Sequence, residues 1–382
     1  MQPAKQDSQR LPGTFGEILV GGVPIRFHFT FWLGFVWLIF LGVGGQQSVL
    51  GNTIYVSALF GSVLLHEAGH ALVARRFGIG TVEIVMLPLG GLARLERQPK
   101  PGEEFWVSLA GPLVNFLIGA GLMALATMRG ESVRLEDWSK ATDANLISRL
   151  AVANLVLAFF NLLPAFPMDG GRVLRSLLAS SRPIDQATRI AARVATAIAA
   201  AAGLYGLLSA NFLLVFFAFF IYVGAAQEAT ATSASVLLSG ARVEEAMVTD
   251  FRTLPHGATI REAAELLLAT TQQDFPVVAG SQVVGLLSRK ALVQAMAVDG
   301  PESYVAGAMD RNFARLSPSM ELAEAARTID PSAGCALVFD SSGRLLGMLT
   351  SENLSEFLVL KEIRRARTRS AAPEPPQENG TP

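Results

Sequence analysis

The motif His66–His70, which reads HEAGH, lies inside an apolar stretch that extends from Ile54 to Ala74. Residues four apart on a helix share one face, so both imidazoles can bind the same metal ion. Glu67 is placed to accept a proton from water activated by that ion. Two histidines and a carboxylate are costly in an apolar span and are functional there as a rule. The motif therefore predicts a zinc protease that works inside the membrane, the alternative being a chance HExxH sequence in a helix.

Apolar residues make up 51% of the chain, and they are concentrated before residue 229. Six stretches approach the roughly 20 residues that a bilayer requires. They lie at about 27–45, 53–74, 104–128, 146–166, 188–208 and 210–228. The predicted fold is therefore an α-helical polytopic membrane protein with about six transmembrane helices, surrounded by the lipid bilayer. The net charge of −1 predicts no nucleic-acid partner.

The fourth predicted span ends in a segment that cannot continue a regular helix. Residues 161–172 read NLLPAFPMDGGR, with two prolines and two glycines. A broken helix at membrane depth occurs only where it is buried in protein or lines a watery cavity. Asp169 lies in this break, where its carboxylate could complete a His-His-Asp metal site and leave a fourth position for water.

Two β-prone runs between the second and third spans flank Pro88–Gly91 and predict a β-hairpin. The hairpin is too short to cross a bilayer. A re-entrant hairpin beside the metal site would offer a strand edge to an extended peptide. A plain surface loop is the alternative that fits the same residues.

Basic residues are distributed asymmetrically around the spans. They follow span two, from Arg75 to Lys100, and span four, from Arg172 to Arg193, whereas residues 46–52 and 209–211 carry no charge. This asymmetry predicts that the N-terminal segment 1–26, the metal-site ends of the spans and everything after the sixth span are cytoplasmic. The predicted location is the cell membrane, with several passes.

A unit of about 60 residues occurs twice after the spans. Its copies lie at 241–299 and 305–362, and each closes with a strand, a turn, a strand and a helix. A short linker of small residues at 229–240 precedes them, and the tail at 363–382 is predicted to be disordered. Two such copies predict a paired α+β module rather than a solenoid.

Four segments together resemble the site-2 protease family of intramembrane zinc proteases. They are His66–His70, Pro88–Gly91, Gly111–Asn115 and Asn161–Arg172. The resemblance implies that residues 27–228 hydrolyse peptide bonds in or near the transmembrane segments of single-span membrane proteins, as in regulated intramembrane proteolysis. It implies one Zn²⁺ per chain, with His66, His70 and Asp169 as ligands. Glu67 would be the general base.

Two asparagines lie within the resembling segments, Asn115 in the third span and Asn161 at the break. The resemblance implies that both lie near the cleft and bind substrate. The alternative is that either amide bridges helices by hydrogen bonding.

The two repeats resemble a tandem pair of CBS domains, which are appended to one branch of the site-2 protease family. In nucleotide-binding CBS repeats, a Thr or Ser is followed three residues later by an Asp that holds the ribose. The first copy has Ser288 and Ala291 at these positions, so the carboxylate is missing. The second has Thr350 and Asn353, whose amide can still form hydrogen bonds.

The resemblance to CBS domains therefore implies ATP, ADP or AMP as regulatory ligands, held by Thr350 and Asn353 in preference to Ser288. The rival interpretation is a structural module that forms a homo-oligomer. A channel or carrier gated by nucleotide would need several charges along a pathway through the spans, and the spans hold almost none beyond the motif residues. A catalytically inactive adaptor is disfavoured by the presence of Glu67.

Overall fold

The computed structural model describes residues 13–20, 22–41, 47–88, 90–131, 133, 142–329 and 334–370. They divide into two compact units, the first ending at Thr232 and the second beginning at Ser233. Each unit is described in turn below.

The first unit is mostly helical. Its helices are α1 (Phe29–Leu41), α2 (Val49–Arg76), α3 (Pro101–Met128), α4 (Leu146–Asn161), α5 (Asp169–Ala179), α6 (Ile184–Leu208) and α7 (Phe212–Leu238), the last of which continues into the second unit. Within the described ranges, five helices are long and apolar enough to cross a membrane, namely α2, α3, α4 with its preceding turn, α6 and α7. The first predicted span corresponds to α1, a shorter apolar helix, and residues 42–46 of that prediction lie outside the described residues.

A four-stranded sheet accompanies these helices. It contains β1 (Thr14–Val20), β2 (Val23–His28), β3 (Thr81–Leu87) and β4 (Gly90–Leu95), in that spatial order. The predicted hairpin is the antiparallel pair β3–β4, in which Leu87 is opposite Gly90. The pair β1–β2 is also antiparallel, and β2 runs parallel to β3.

The sequence analysis does not predict the β1–β2 hairpin, because it places residues 14–28 in the N-terminal segment and at the start of the first span. The signal was present in the sequence: two runs with β-branched and aromatic residues flank a Gly-Gly pair. Gly22 adopts a φ of +85°, which a turn of this kind requires and which only glycine adopts without strain. Residues 1–12 of the predicted N-terminal segment lie outside the described residues.

Small residues bring α2, α3 and α4 into close contact. A Cβ atom on Gly69 of α2 would lie 2.8 Å from the side chain of Val114 in α3. A Cβ atom on Gly119 of α3 would lie 3.1 Å from the carbonyl oxygen of Ala151 in α4. Glycine at these positions lets the backbones approach, as is common where apolar helices pack in membranes.

The second unit consists of two similar halves, each with a three-stranded sheet. The first contains β5 (Leu254–Pro255), α8 (Ile260–Ala269), β6 (Phe275–Ala279), β7 (Gln282–Leu287) and α9 (Arg289–Val298). α10 (Val305–Ala308) comes next along the chain and packs in the core of the first half, where Val305 is buried. The second half contains β8 (Arg315–Leu316), α11 (Leu322–Thr328), β9 (Cys335–Phe339), β10 (Leu345–Thr350) and α12 (Ser351–Ser370). The predicted pair of α+β units is confirmed.

Each half has its own hydrophobic core. Ile260, Phe275 and Leu287 are buried in the first, and Leu322 and Leu349 in the second. Complete burial of one such side chain contributes about 1.5–3 kcal/mol. Each copy of the repeat is therefore stabilised by a hydrophobic core of its own.

Two predicted boundaries differ in the structure. Residues 229–240, predicted as a linker, are helical as far as Leu238. The reason is that this segment continues a helix that has already formed and contains no glycine or proline before Gly240, where φ is +74°. Residues 363–370, predicted as part of a disordered tail, belong to α12, which is rich there in arginine, a good helix former. The remainder of that prediction, residues 371–382, lies outside the described residues.

Candidate metal centre and active site

Helix α2 carries His66 and His70 one turn apart, and both side chains are largely buried. Their Nε2 atoms lie 3.0 Å from each other. The Nδ1 atom of His70 lies 2.6 Å from the carbonyl oxygen of Val107 in α3, to which it can donate a hydrogen bond. A proton on Nδ1 leaves the Nε2 lone pair free, so this contact selects the tautomer that binds a metal.

Asp169 reaches the two histidines from the break after α4. Its Oδ2 atom lies 3.2 Å from the Nε2 atom of His66 and 3.2 Å from that of His70. Asp169 is the first residue of α5. A Cβ atom on Gly170 would lie 2.2 Å from the carbonyl oxygen of Leu163, so only glycine fits directly after the aspartate.

The three ligand atoms fit one zinc ion. They lie 3.0–3.2 Å apart, close to the separation of about 3.3 Å that a tetrahedral site with bonds of about 2.0–2.1 Å requires. Gly111 of α3 faces them: a Cβ atom there would lie 2.3 Å from Nε2 of His70 and 2.6 Å from Nε2 of His66. Glycine thus keeps a side chain out of the space beside the ligand atoms. Two imidazoles and one carboxylate are a donor set typical of catalytic zinc.

Glu67 is half-buried and packs against strand β4. A Cβ atom on Gly91 would lie 2.3 Å from Cγ and 3.0 Å from Oε1 of Glu67. Strand β4 is at the edge of the four-stranded sheet and pairs with β3 alone among the described strands. The backbone of an edge strand therefore lies beside the carboxylate of the motif.

The two predicted substrate residues lie on elements that adjoin the ligands. Asn115 is one turn after Gly111 on α3, is 1% exposed, and its Oδ1 atom has no hydrogen-bond partner in the part of the chain that the structure describes. Asn161 is the last residue of α4, directly before the break that leads to Asp169, and it is half-buried. The structure thus places Asn115 as a buried acceptor and Asn161 at the hinge of the broken segment.

The sequence analysis missed the side chains that hold β4 in place. Glu83 of β3 is 2% exposed and lies 2.5 Å from Arg26 of β2 and 2.7 Å from Arg94 of β4. These ion pairs join three strands across the sheet. The signal was a single carboxylate inside the apolar run VEIVML, which needs a charged partner if it is buried.

The three predicted nucleotide residues lie at the starts of helices in the second unit. Ser288 is the N-cap of α9, where its Oγ atom accepts a hydrogen bond of 3.2 Å from the backbone of Ala291. Thr350 precedes α12; its Oγ1 atom donates to Oδ1 of Asn353 at 2.5 Å and accepts from the backbone N–H of Asn353 at 3.1 Å. In both copies the hydroxyl satisfies a helix N-terminus.

A cavity of about 240 Å³ lies beside Ser288. Other residues that line it include Lys290, Asp310, Asn312, Phe313 and Cys335. Burial raises the pKa of the Cys335 thiol, which therefore lines the cavity as a neutral group. The structure brings Ser288 to this cavity together with a cation and an aromatic ring that the sequence analysis did not assign.

Known proteins resemble this chain along most of its length. The sequence model of peptidase family M50 matches residues 54–146 and 130–202, and that of the CBS domain matches residues 243–298 and 305–360. A zinc metalloprotease of Methanocaldococcus jannaschii is 34% identical over 270 residues, which cover 70% of this chain and 75% of that one. A relative from Synechocystis sp. is 30% identical over 330 residues, covering 82% and 85% respectively. Among solved structures, a site-2 protease from Methanocaldococcus jannaschii has 36% sequence identity and a TM-score of 0.43, and the match covers 56% of this chain and 95% of that one.

Proposed function

Since this chain belongs to peptidase family M50 and carries a pair of CBS domains, we propose that it hydrolyses peptide bonds in or near the transmembrane segments of single-span membrane proteins. The resemblances to site-2 proteases and CBS domains that the sequence analysis noted are confirmed. The observation that carries the proposal is the convergence of His66, His70 and Asp169. Their ligand atoms lie within 4.8 Å of one another, on helices that follow or form apolar spans.

We assign these three side chains to one zinc ion. When bound, zinc supplies Lewis acidity, which lowers the pKa of water toward neutrality and stabilises negative charge on a peptide carbonyl oxygen. The Val107 carbonyl holds the ring of His70 in the required tautomer. Gly170 lets the start of α5 pack closely against the backbone of Leu163. This packing keeps the carboxylate of Asp169 beside the two imidazoles.

Glu67 has a separate task, which is to carry the proton. Its side chain follows a metal ligand on α2 and packs against Gly91, and it is not one of the three groups whose ligand atoms converge. The carboxylate accepts a proton from the attacking water and delivers it to the leaving amine as the C–N bond breaks. A general base at this position accelerates hydrolysis by about 10²–10⁴-fold.

We propose that substrate binds along strand β4. A transmembrane helix satisfies its own carbonyl groups by hydrogen bonds, so it must unwind locally before cleavage. An extended segment added to the free edge of β4 regains hydrogen bonds to backbone. Because Gly90 and Gly91 have no side chains, that segment can approach the strand beside Glu67. The buried Oδ1 atom of Asn115, which lacks a partner among the described residues, supports a role in holding a substrate amide.

We propose that the N-terminus and the CBS module are cytoplasmic. The support is the position of arginines at the metal-site ends of the helices: Arg75 and Arg76 end α2, and Arg172 and Arg175 lie on α5. A reporter fused after Leu360 should therefore behave as cytoplasmic, and one inserted at residue 136 as external. Both reporters on one side would contradict this topology.

We further propose that an adenine nucleotide binds the CBS module and modulates proteolysis. The cavity beside Ser288 offers Lys290 for a phosphate group and the ring of Phe313 for a base. Residues of both copies line this cavity, among them Ser288 and Lys290 of the first and Phe313 of the second. We therefore propose it as the ligand site in preference to Thr350 and Asn353, which hydrogen-bond each other. The alternative is a module that assembles a homo-oligomer.

Proteolysis in defined vesicles tests the main proposal. The purified chain and a single-span reporter are reconstituted together, and the fragments are identified by mass spectrometry. We expect a cut in or next to the transmembrane segment that a zinc chelator abolishes and added zinc restores. Cleavage that persists after complete zinc removal would contradict the proposal.

A further inference from the structure

One face of helix α7 packs along the segment that carries Asp169. The residues on this face are Ile221, Gly224, Ala225, Glu228 and Thr232, which recur at three- and four-residue intervals. Residues at these intervals lie on one side of a helix. They meet the segment before Asp169 and the helix after it, as the following contacts show.

The N-terminal part of this face packs against the loop before Asp169. Ile221 and Ala225 belong to a buried hydrophobic cluster with Ala165, Phe166 and Met168. Phe166 and Ala165 are fully buried there. The loop is therefore held by close packing and cannot shift without disturbing α7.

Helix α7 has a glycine, Gly224, where it passes Pro167 of this loop. A Cβ atom on Gly224 would lie 2.6 Å from Cδ and 2.9 Å from Cγ of Pro167. Any side chain at this position would push the proline ring away from α7. Pro167 stands two residues before Asp169, so the displacement would act on the carboxylate.

Arg175 of helix α5 contacts the C-terminal part of this face. Its Nη1 atom contacts Oε1 of Glu228 and lies 3.4 Å from Oγ1 of Thr232. Its Nε and Nη2 atoms bind the carboxylate of Glu104 in α3, with Nε 3.2 Å from Oε2. The side chain of Arg175 is 11% exposed and its guanidinium lies 5.3 Å from the centre of the Phe166 ring. Arg175 thus touches α3, α7 and the loop before Asp169 at once.

We propose that α7 sets the position of Asp169 relative to His66 and His70, with Arg175 as the positioning residue. This proposal rests on the proposed function, because it takes Asp169 to be a metal ligand. Arg175 lies six residues after Asp169 on α5, about 9 Å along the helix axis. Since Phe166 before Asp169 and Arg175 after it are both held against α7, the aspartate is fixed from two sides.

The consequence is that α7 controls the metal centre from outside the ligand set. Helix α7 is also the element by which the chain passes to the CBS module, and its last residue, Leu238, lies in the hydrophobic core with Val243 and Leu322. Suppose that α7 has two arrangements. A ligand of the CBS module then changes the metal centre only if its affinity for the protein differs between them. Arg175 and the Gly224 contact are the places where such a change would reach Asp169.

Zinc affinity and the spectrum of the cobalt-substituted protein test this role in the full chain. The variants are Arg175→Met, Arg175→Lys, Glu228→Gln and Gly224→Ala. Two matched controls are Arg182→Met, an exposed arginine after α5, and Gly203→Ala, whose Cβ would lie 3.4 Å from Ala218 at ordinary contact distance. Zinc affinity is measured by competition with a chromophoric chelator, and folding by thermal unfolding in detergent.

We expect Arg175→Met and Gly224→Ala to weaken zinc binding about tenfold, the lower end of the range for residues that support metal ligands, and to change the cobalt spectrum. Glu228→Gln leaves the Glu104 pair intact and should weaken binding about threefold, a smaller effect within the same mechanism. Arg175→Lys should recover part of the loss, because one ammonium cannot reproduce the two-edged guanidinium contact. Both controls should match the wild type.

Folded variants with unchanged zinc affinity and unchanged cobalt spectra would overturn the proposal, even if their unfolding temperatures fall. If Arg175→Met does not fold, Glu228→Gln and Gly224→Ala decide the question. Asp169→Ala separates the two levels of inference. Retention of zinc in that variant would refute the ligand assignment itself, whereas its loss, with wild-type behaviour of the α7 variants, would refute only the role of α7.

Discussion

The Oδ2 atom of Asp169 lies 3.2 Å from the Nε2 atom of His70, and the two residues belong to helices of different character. His70 is inside the long apolar helix α2, whereas Asp169 begins the short helix α5 after an irregular turn. A bound metal ion would therefore join a rigid span to a segment whose position depends on its packing. Metal content and the conformation of that segment should be linked, and mutations in either should report on the other.

Replacing Glu67 with glutamine should abolish proteolysis and leave zinc in place, because the side chain carries a proton and does not bind the metal. We expect a fall in kcat of at least about 100-fold. Asp169→Ala should lose zinc as well as activity. Zinc is measured by elemental analysis and cleavage with the reconstituted reporter. Full activity in the Glu67 variant would refute its role as the general base.

Replacing Gly111 with alanine should prevent zinc binding while the protein remains helical. The new Cβ atom would lie 2.3 Å from Nε2 of His70, inside the distance that any real contact tolerates. Gly121→Ala is the matched control, since it lies on the same helix and no atom stands within 4 Å of its Cβ position. Elemental analysis and circular dichroism of both variants check this. Normal zinc content in Gly111→Ala would mean that α3 does not border the metal.

Replacing Gly91 with alanine should lower kcat without loss of zinc. The added methyl group would lie 2.3 Å from Cγ of Glu67 and must displace that side chain or the strand. Since a displacement of about 1 Å at a catalytic group can cost about 100-fold in rate, we expect an effect of that order. Steady-state cleavage together with elemental analysis distinguishes this outcome from metal loss. Unchanged kcat would show that Glu67 does not act from its position beside β4.

Parts of the candidate metal site were predictable from sequence because they are set by short-range rules. Residues four apart on α2 must share a face, and a segment with two prolines and two glycines must interrupt a helix. The distance between Asp169 and His70 was not predictable, since it depends on how α3, α5 and α7 pack. The sequence named Asp169 as the candidate third ligand because of its chemistry and its place in the helix break, and the geometry depends on tertiary packing.

Two features were predicted wrongly, the β1–β2 hairpin and the linker at 229–240. In both, the neighbouring helix decides the structure and the local residue pattern alone does not. The β1–β2 hairpin adjoins an apolar helix, so its residues were merged with the predicted span. The run of Ala, Thr and Ser at 229–238 suggests a linker by composition, but it continues a helix that has already formed. Helix propagation costs less than nucleation, so weakly helical residues that follow a stable span remain helical.

Replacing Glu83 with glutamine should destabilise the sheet that holds β4. It would remove the carboxylate that lies 2.5 Å from Arg26 and 2.7 Å from Arg94. Breaking a fully buried ion pair costs about 3–5 kcal/mol; because both arginines reach solvent, we expect about 2 kcal/mol. Glu17→Gln is the control, since Glu17 lies 3.4 Å from Arg26 and is 42% exposed. Equal unfolding temperatures for the two variants in detergent would contradict this ranking.

Replacing Lys290 with methionine should weaken the binding of ATP, ADP or AMP to the full chain, because the ammonium is the cation that lines the cavity beside Ser288. A charge-assisted hydrogen bond to phosphate is worth about 1.5–3 kcal/mol, which corresponds to a loss of roughly tenfold to 100-fold in affinity. Asn353→Ala is the matched comparison: it should have little effect if the ligand occupies this cavity, and it should weaken binding if the second copy is the site. Titration calorimetry of the detergent-solubilised protein with each nucleotide measures all three affinities. No heat and no stabilisation with any nucleotide would refute a nucleotide site, and a change of oligomeric state on deleting residues 241–362, measured by light scattering, would then assign the CBS module to assembly.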